Sequence, residues 1–440
     1  VGQHRKRHKS LGLAELVAIA LGGMVGGGIF TILGVSVSMI GNLTPVAIII
    51  GGFIAALAAY SYVKLGLYYK DEGATYAFYK KTFPNSRFSA SAIGWFIIFG
   101  YISTLALYAY TFSSYAISST AYADTVWIRK AIAIGVIGVF TLINVWSVNG
   151  MGKIEDLMVY TKLVLLTIIS FVLIQNGTTD FRTFMEHIVI DAENSSVLTI
   201  LIVSSITFVA YEGFQLVINA VSEMAHPEKN IPRAIYTAIA LAVLIYVVIA
   251  LGALFAIPKD DLINNKEYAL AAGAGNILGT LGTNLVIIGA VLATSSAISG
   301  TVFGSSRQLS VIAKDGYFPS WLASRKNNIP QNAIIGMAIM ASILIFLGGL
   351  ELILEFGSIT FLLVSLLMAV ANFKIRDKTN SSKFLTAFSV IGLGVGGLLI
   401  LYYEFTTKWE EMLIIIFLYL ILGSGAWIYT RKNKTNKIHP

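Results

Sequence analysis

Two ionisable side chains stand inside apolar runs long enough to cross a bilayer. Glu212 interrupts residues 206–214, Ile206-Thr-Phe-Val-Ala-Tyr-Glu-Gly-Phe214, and Lys162 interrupts residues 158–166, Met158-Val-Tyr-Thr-Lys-Leu-Val-Leu-Leu166. An ionisable group at mid-membrane is expensive and marks function by default. Lys162 could gain and release a proton during a cycle. Alternatively, its head could snorkel to the nearer interface. Glu212 has three readings: it carries a proton, it holds the local backbone by accepting hydrogen bonds, or it binds a cationic substrate.

A third feature carries no charge. Residues 22–30 read Gly22-Gly-Met-Val-Gly-Gly-Gly-Ile-Phe30. Glycine is a poor interior helix former, about 1 kcal/mol worse than alanine. Such a run either lets another helix pack closely or opens the helix. An opened helix frees N–H and C=O groups, which must then line a cavity or meet a ligand. The Tyr211-Glu-Gly-Phe214 stretch reads as a second opening, five helices later. Paired interruptions of this kind are the signature of secondary transporters whose broken helices meet at the midplane. A half-helix starting at a break offers amides and a positive dipole end to a carboxylate. One ending there offers carbonyls to an ammonium. The ligand that needs both is an α-amino acid, with the amides of Gly26, Gly27 and Gly28 on its carboxylate and the carbonyls of Phe208 and Ala210 on its amine.

The surrounding chain must place these groups in a membrane. Hydrophobic residues make up 56% of it and charged residues 12%, against roughly 25% charged in soluble domains. Apolar runs predict twelve helices, over 12–40, 44–69, 89–120, 127–147, 156–175, 197–222, 233–256, 276–312, 332–348, 351–373, 384–403 and 410–430. The basic start followed by an apolar run looks like a signal peptide, but the run is too long, and a retained first helix is expected. Of the 31 Lys and Arg residues, only Arg129, Lys130, Arg182, Lys259, Lys266 and Lys408 fall on the side opposite the N-terminus, with Lys162 within a span. That asymmetry predicts both termini in the cytoplasm. It also locates the net charge of +8 in short connections, which argues for membrane orientation and against nucleic acid. The acidic connections near 175–196 and 258–268 read as solvated loops with short surface helices.

There is no cysteine, and the five histidines fall in tails or loops. No metal site and no cofactor are expected, and no buried nucleophile–base pair suggests an enzyme. The eighth span carries Thr294-Ser-Ser-Ala-Ile-Ser299; such hydroxyls usually bond the preceding turn of their own helix. Nothing in the residues specifies an oligomeric state.

Four segments resemble the amino acid–polyamine–organocation transporters. Gly26-Gly-Gly-Ile-Phe30 is similar to their glycine-rich unwound segment, with Gly27 a small departure. Tyr211-Glu-Gly-Phe214 looks like their helix-six break. His226-Pro-Glu-Lys-Asn-Ile-Pro-Arg-Ala-Ile235 looks like the stretch that follows it, and Arg307 with Ala313-Lys-Asp-Gly-Tyr-Phe-Pro319 like the loop after helix eight. The resemblance implies an all-α membrane protein of the leucine-transporter-like fold. A ten-helix core at 11–373 would hold inverted repeats at about 11–175 and 197–373. Two further helices at 384–430 would follow, with basic cytoplasmic tails at 1–10 and 431–440. It implies alternating access at the plasma membrane around a central amino acid site that includes Tyr211 and Glu212, with Phe208 covering the substrate. It also resembles proton-coupled prokaryotic permeases, in which a helix-five lysine replaces a sodium ion. By that likeness Lys162 would face Gly22 and Gly23 and the hydroxyls of Ser295 or Ser296. A broad or neutral amino acid importer is the leading expectation. A cationic amino acid or polyamine carrier using Glu212, an exchanger, and a sensor without flux are the alternatives.

Overall fold

The computed structural model describes residues 11–71, 73–146, 151–221, 224–326 and 329–435. Most of the two basic tails, residues 1–10 and 436–440, lies outside them. Among the described residues the regular structure is helical, with two isolated β-bridges and no strand.

The apolar runs become helices because a membrane leaves backbone groups no other partner. Helices α1 (Leu13–Met24) and α2 (Gly28–Ile40) are the two halves of the first run, separated at the glycines. Helix α3 (Thr44–Tyr69) follows, with a proline in its first turn, where the missing N–H costs nothing. A short helix α4 (Ala74–Thr82) then precedes α5 (Arg87–Ile117), α6 (Val126–Trp146) and α7 (Met151–Gln175). The surface helix α8 (Phe181–Asn194) leads to the second interrupted run. That run consists of α9 (Val197–Ile206), a 3-10 turn (Thr207–Tyr211) and the one-turn helix α10 (Leu216–Asn219). Next come α11 (Pro227–Ala256), the short α12 (Lys259–Asn264), α13 (Ala269–Lys314), α14 (Gln331–Leu347), α15 (Leu350–Lys374), α16 (Lys383–Thr407) and α17 (Trp409–Thr435).

Among the described residues ten segments are long and apolar enough to cross a membrane, one of them the joined Gly28–Tyr69. Two further apolar helices, Leu13–Met24 and Gln331–Leu347, are shorter. The first is cut by glycines and the second is bounded by Pro330 and by Gly348-Gly349.

One expectation needs correction. The stretch 70–88 is not a bare connection, because α4 forms there. Its Lys80 bonds Asp315 at 2.7 Å and its Tyr76 hydroxyl donates to the same carboxylate at 2.6 Å. The eighth span, expected over 276–312, is Gly279–Lys314, the part of α13 beyond a kink at Gly279, whose φ of 62° only glycine adopts freely; the helix from Ala269 lies before that kink. The short surface helix expected in 175–196 is α8. Its Asp191 accepts from the Asn42 amide at 2.7 Å and from Lys259 at 2.8 Å, tying α8 to the end of α2 and to α12.

Close helix contact relies on small residues, as expected where lipid is as apolar as the side chains. A Cβ built on Gly51 of α3 would lie 2.3 Å from Thr207 Oγ1 and 3.1 Å from Ser204 O. Gly51→Val should therefore push α3 off the second interrupted run. The expected cost is about 1–3 kcal/mol, read as a fall in the melting temperature of the purified protein. An unchanged melting temperature would mean that this contact is slack.

Candidate functional site

An α-helix leaves its last four carbonyls unpaired. At the end of α1 these belong to Leu21, Gly22, Gly23 and Met24, and each has a partner. Leu21 O accepts from the Val25 amide at 2.8 Å. Gly22 O accepts from Lys162 Nζ at 2.9 Å. Gly23 O accepts from the Tyr108 hydroxyl at 3.4 Å. Met24 O accepts from the Gly26 amide at 2.9 Å and from the Tyr246 hydroxyl at 2.7 Å. Four other points of the chain thus converge on one frayed helix end: the break itself, α5, α7 and α11.

Lys162 is completely buried. Its ammonium does not reach an interface; it is held on a carbonyl that exists as an acceptor only because α1 stops. Hydrogen bonds to a charged group contribute about 1.5–3 kcal/mol, and more is lost when such a group is left unpaired. Val159, one turn before Lys162, packs on Gly22, where an added Cβ would sit 3.2 Å from Val159 Cγ2.

Past the break, α2 begins at Gly28 with Gly27 as its N-cap and no side chain capping it. The first turn closes through the Thr31 amide on Gly27 O at 3.2 Å. The Gly26 amide is engaged by Met24 O, so of the three glycine amides expected to face a ligand, those of Gly27 and Gly28 belong to the uncapped helix start. The glycines are enclosed on three sides. Added Cβ atoms would meet Ala297 at 2.7 Å and Tyr108 at 3.0 Å from Gly26, Thr294 and Tyr108 at 3.1 Å from Gly27, and Ala210 at 2.9 Å from Gly28.

The second break mirrors the first. After the 3-10 turn, Glu212 is extended, with φ −67° and ψ 133°. Gly213 follows at φ 129°, a conformation that L side chains rarely adopt. A Cβ there would lie 2.5 Å from the carbonyl carbon of Gly23, so the two breaks touch backbone to backbone. Tyr246 bridges them as well: its hydroxyl lies 2.7 Å from Met24 O and 2.8 Å from Ala210 O. A phenol has one proton, so it serves these two carbonyls alternately.

Phe208, Ala210 and Tyr211 are all buried, and the Tyr211 hydroxyl donates to Ile48 O at 2.7 Å. Glu212 is buried too. Its Oε2 accepts from Gln215 Nε2 at 2.9 Å, while the Gln215 Oε1 accepts from the Gly213 amide at 3.0 Å. Glu212 Oε1 has no hydrogen-bond partner among the described residues. Ser295 and Ser296 are buried on α13, which packs on α7 where Gly289 approaches Ile169.

Two contributors had no signal strong enough to single them out. Tyr246 lies in the apolar run Leu241-Ala-Val-Leu-Ile-Tyr246; a buried phenol requires a partner, which was the available clue. Tyr108 sits among several tyrosines of α5 with nothing to rank it.

The arrangement has one oxygen-rich helix end holding a lysine, one uncapped helix start, and a second break pressed against both. With at least ten apolar spans among the described residues, it is the arrangement of a polytopic membrane protein. Residues 11–422 match the model of the amino acid permease family, and the chain belongs to that family. It is 29% identical to the inner membrane transport protein YbaT of Escherichia coli, over 97% of this chain and 98% of that one. It is also 29% identical to an uncharacterised protein of Methanocaldococcus jannaschii, over 91% of each. Among solved structures, a mutant manganese transporter of Eremococcus coleocola shares the fold, with a TM-score of 0.62 and 11% identity, covering 98% of this chain and 97% of that one.

Tyr246→Phe should leave the Met24 and Ala210 carbonyls without their shared donor. We expect a loss of about 1–3 kcal/mol, visible as a lowered melting temperature. A variant as stable as the parent would show that the bridge carries no energy.

Proposed function

We propose that this chain imports amino acids by alternating access, coupled to protons through Lys162. The observation that carries the reading is the buried Lys162 ammonium on Gly22 O at 2.9 Å. An ammonium there occupies the carbonyl cluster that a bound cation would otherwise need, and on losing its proton it would keep only a weaker, neutral hydrogen bond to the same oxygen. The proton state of Lys162 is thereby felt at the end of α1, one turn from Gly26. The membership of the amino acid permease family and the likeness to an inner membrane transport protein support a small-molecule substrate.

In this reading the chain has twelve spans, counting α1 with α2 and α9 with α10 as single interrupted ones. The core at 11–373 is a pair of inverted repeats at about 11–175 and 197–373, two helices at 384–430 are additional, and both tails are cytoplasmic at the plasma membrane. The substrate carboxylate lies on the amides of Gly27 and Gly28, and the Gly26 amide joins them if its bond to Met24 opens. The substrate amine lies on the carbonyls of Phe208 and Ala210, with Phe208 and Tyr211 enclosing it. Ser295 and Ser296 belong to the wall that faces Lys162. Specificity is broad or neutral, since backbone groups recognise the part that all amino acids share.

Reconstituted protein should concentrate labelled alanine when an inward proton gradient is the sole driving force. Lys162→Ala should bring that uptake down to the level of protein-free liposomes while substrate binding changes only a few-fold. Gradient-driven accumulation by the variant would refute the coupling role.

The unpartnered Glu212 Oε1 favours one second reading, a carrier of cationic amino acids or polyamines. On that reading Glu212→Gln should weaken a cationic ligand by about 1.5–3 kcal/mol and leave a neutral one unchanged in competition binding. Equal effects on both would assign Glu212 to holding the break.

A further inference from the structure

The start of α15, the end of α16 and the start of α17 meet at a cluster of carboxylates. Oxygens of Glu355, Glu404 and Glu411 all lie within 4.8 Å of one another. Glu355 and Glu404 are fully buried. Among the described residues no donor from outside the cluster reaches either oxygen of Glu404, Glu355 Oε2 or Glu411 Oε2. A fully buried carboxylate with no such donor on either oxygen is among the costliest arrangements a protein can hold, and here it is aimed at two others.

The neighbouring cations do not balance it. Lys408 Nζ donates to Glu351 Oε2 at 2.5 Å and to Glu355 Oε1 at 2.8 Å. Lys266 pairs with the other oxygen of Glu351. Four carboxylates therefore face two ammonium groups, leaving two negative charges when all are ionised. The lysines also sit on one side. Every oxygen they satisfy belongs to Glu351 or to Glu355 Oε1, and every oxygen left over belongs to the Glu355–Glu404–Glu411 face.

We propose that this face is a site for a divalent cation of the calcium class. Its donors are Glu355 Oε2, the Glu404 carboxylate and Glu411 Oε2. An all-oxygen, all-carboxylate set selects a hard cation over a transition metal. Size favours calcium over magnesium. Calcium, with oxygen distances of about 2.3–2.6 Å and six to eight flexibly placed ligands, accommodates carboxylates spread over up to 4.8 Å, whereas magnesium demands near-ideal octahedral geometry and keeps its waters. The charge of such an ion equals the excess that the two lysines leave.

The ion would pin α16 and α17 to α15. It would also bear on the transport core through one helix. Ser358, one turn beyond Glu355, donates to Ile206 O at 2.7 Å, the carbonyl at which α9 ends. The site is thus structural, and it reads out on helix packing without reference to substrate. Its failure and the failure of the transport reading are separable.

The test uses the purified full chain in detergent, stripped with a chelator and then exposed to calcium, magnesium or potassium chloride in turn. Calcium should raise the melting temperature by several degrees, magnesium less, and potassium not at all. Equilibrium dialysis with radioactive calcium should give one ion per chain. Glu404→Gln should abolish the shift and lower calcium affinity about tenfold or more. If that variant does not fold, the half-buried Glu411→Gln serves in its place with the same expected losses. No calcium binding to the parent at millimolar concentration would overturn the proposal and leave a cluster that shares protons. Unaltered calcium binding by the variants would overturn it too, placing the ion elsewhere.

Discussion

Everything around the first break depends on the need to satisfy backbone carbonyls away from water. Once the glycines stop α1 at Met24, carbonyls that would have bonded along the helix must find donors, because an unpaired polar group in a low-dielectric interior costs several kcal/mol. Three of those donors come from other helices: Lys162 from α7, Tyr108 from α5 and Tyr246 from α11. The helix end therefore organises its surroundings. Its position fixes where a buried ammonium can be tolerated, and the lysine in turn holds that end in place.

The second interrupted run obeys the same constraint with different donors. Ile206 O takes a hydroxyl from Ser358 on α15, Ser204 O takes one from Thr207, and Ala210 O shares the Tyr246 hydroxyl. The extended Glu212 and positive-φ Gly213 then turn the chain without a regular ladder, and the Gln215 side chain closes the gap by bonding both neighbours, Glu212 Oε2 and the Gly213 amide. Each break thus depends in part on helices distant in sequence. Neither could keep its shape if cut out of the bundle.

This explains what could and could not be read from residues alone. The helices were legible because their apolar runs are long, and both interruptions because glycine and charge are conspicuous there. Lys162 stood out because nothing nearby shares its chemistry. Tyr246 did not, since a phenol in an apolar run looks the same whether it faces lipid or a carbonyl. The α15–α17 carboxylates were hidden for another reason. Glu355, Glu404 and Glu411 lie near helix ends, where acidic residues are ordinary, and their meeting is a product of how α16 and α17 dock. The helix in 74–82 was hidden too, since a run containing Lys80 and Lys81 has little apolar periodicity to mark it.

The contact between Gly213 and Gly23 has a mechanical consequence. There is no side chain at either position to act as a cushion, and even a methyl group on Gly213 would come within 2.5 Å of Gly23 C. The positive φ at Gly213 leaves little room to relieve such a clash by rotation. The breaks therefore cannot move toward one another; any closing motion must carry them together or separate them. Gly22, bonded to Lys162, is the residue next to Gly23, and Glu212 is the residue next to Gly213. Lys162 and Glu212 are thus linked through one pair of abutting glycines. On our reading of Lys162, a change in its proton state needs no long relay to reach the second break. It would act through backbone already in contact, and the shared Tyr246 hydroxyl would favour whichever carbonyl the movement left more exposed.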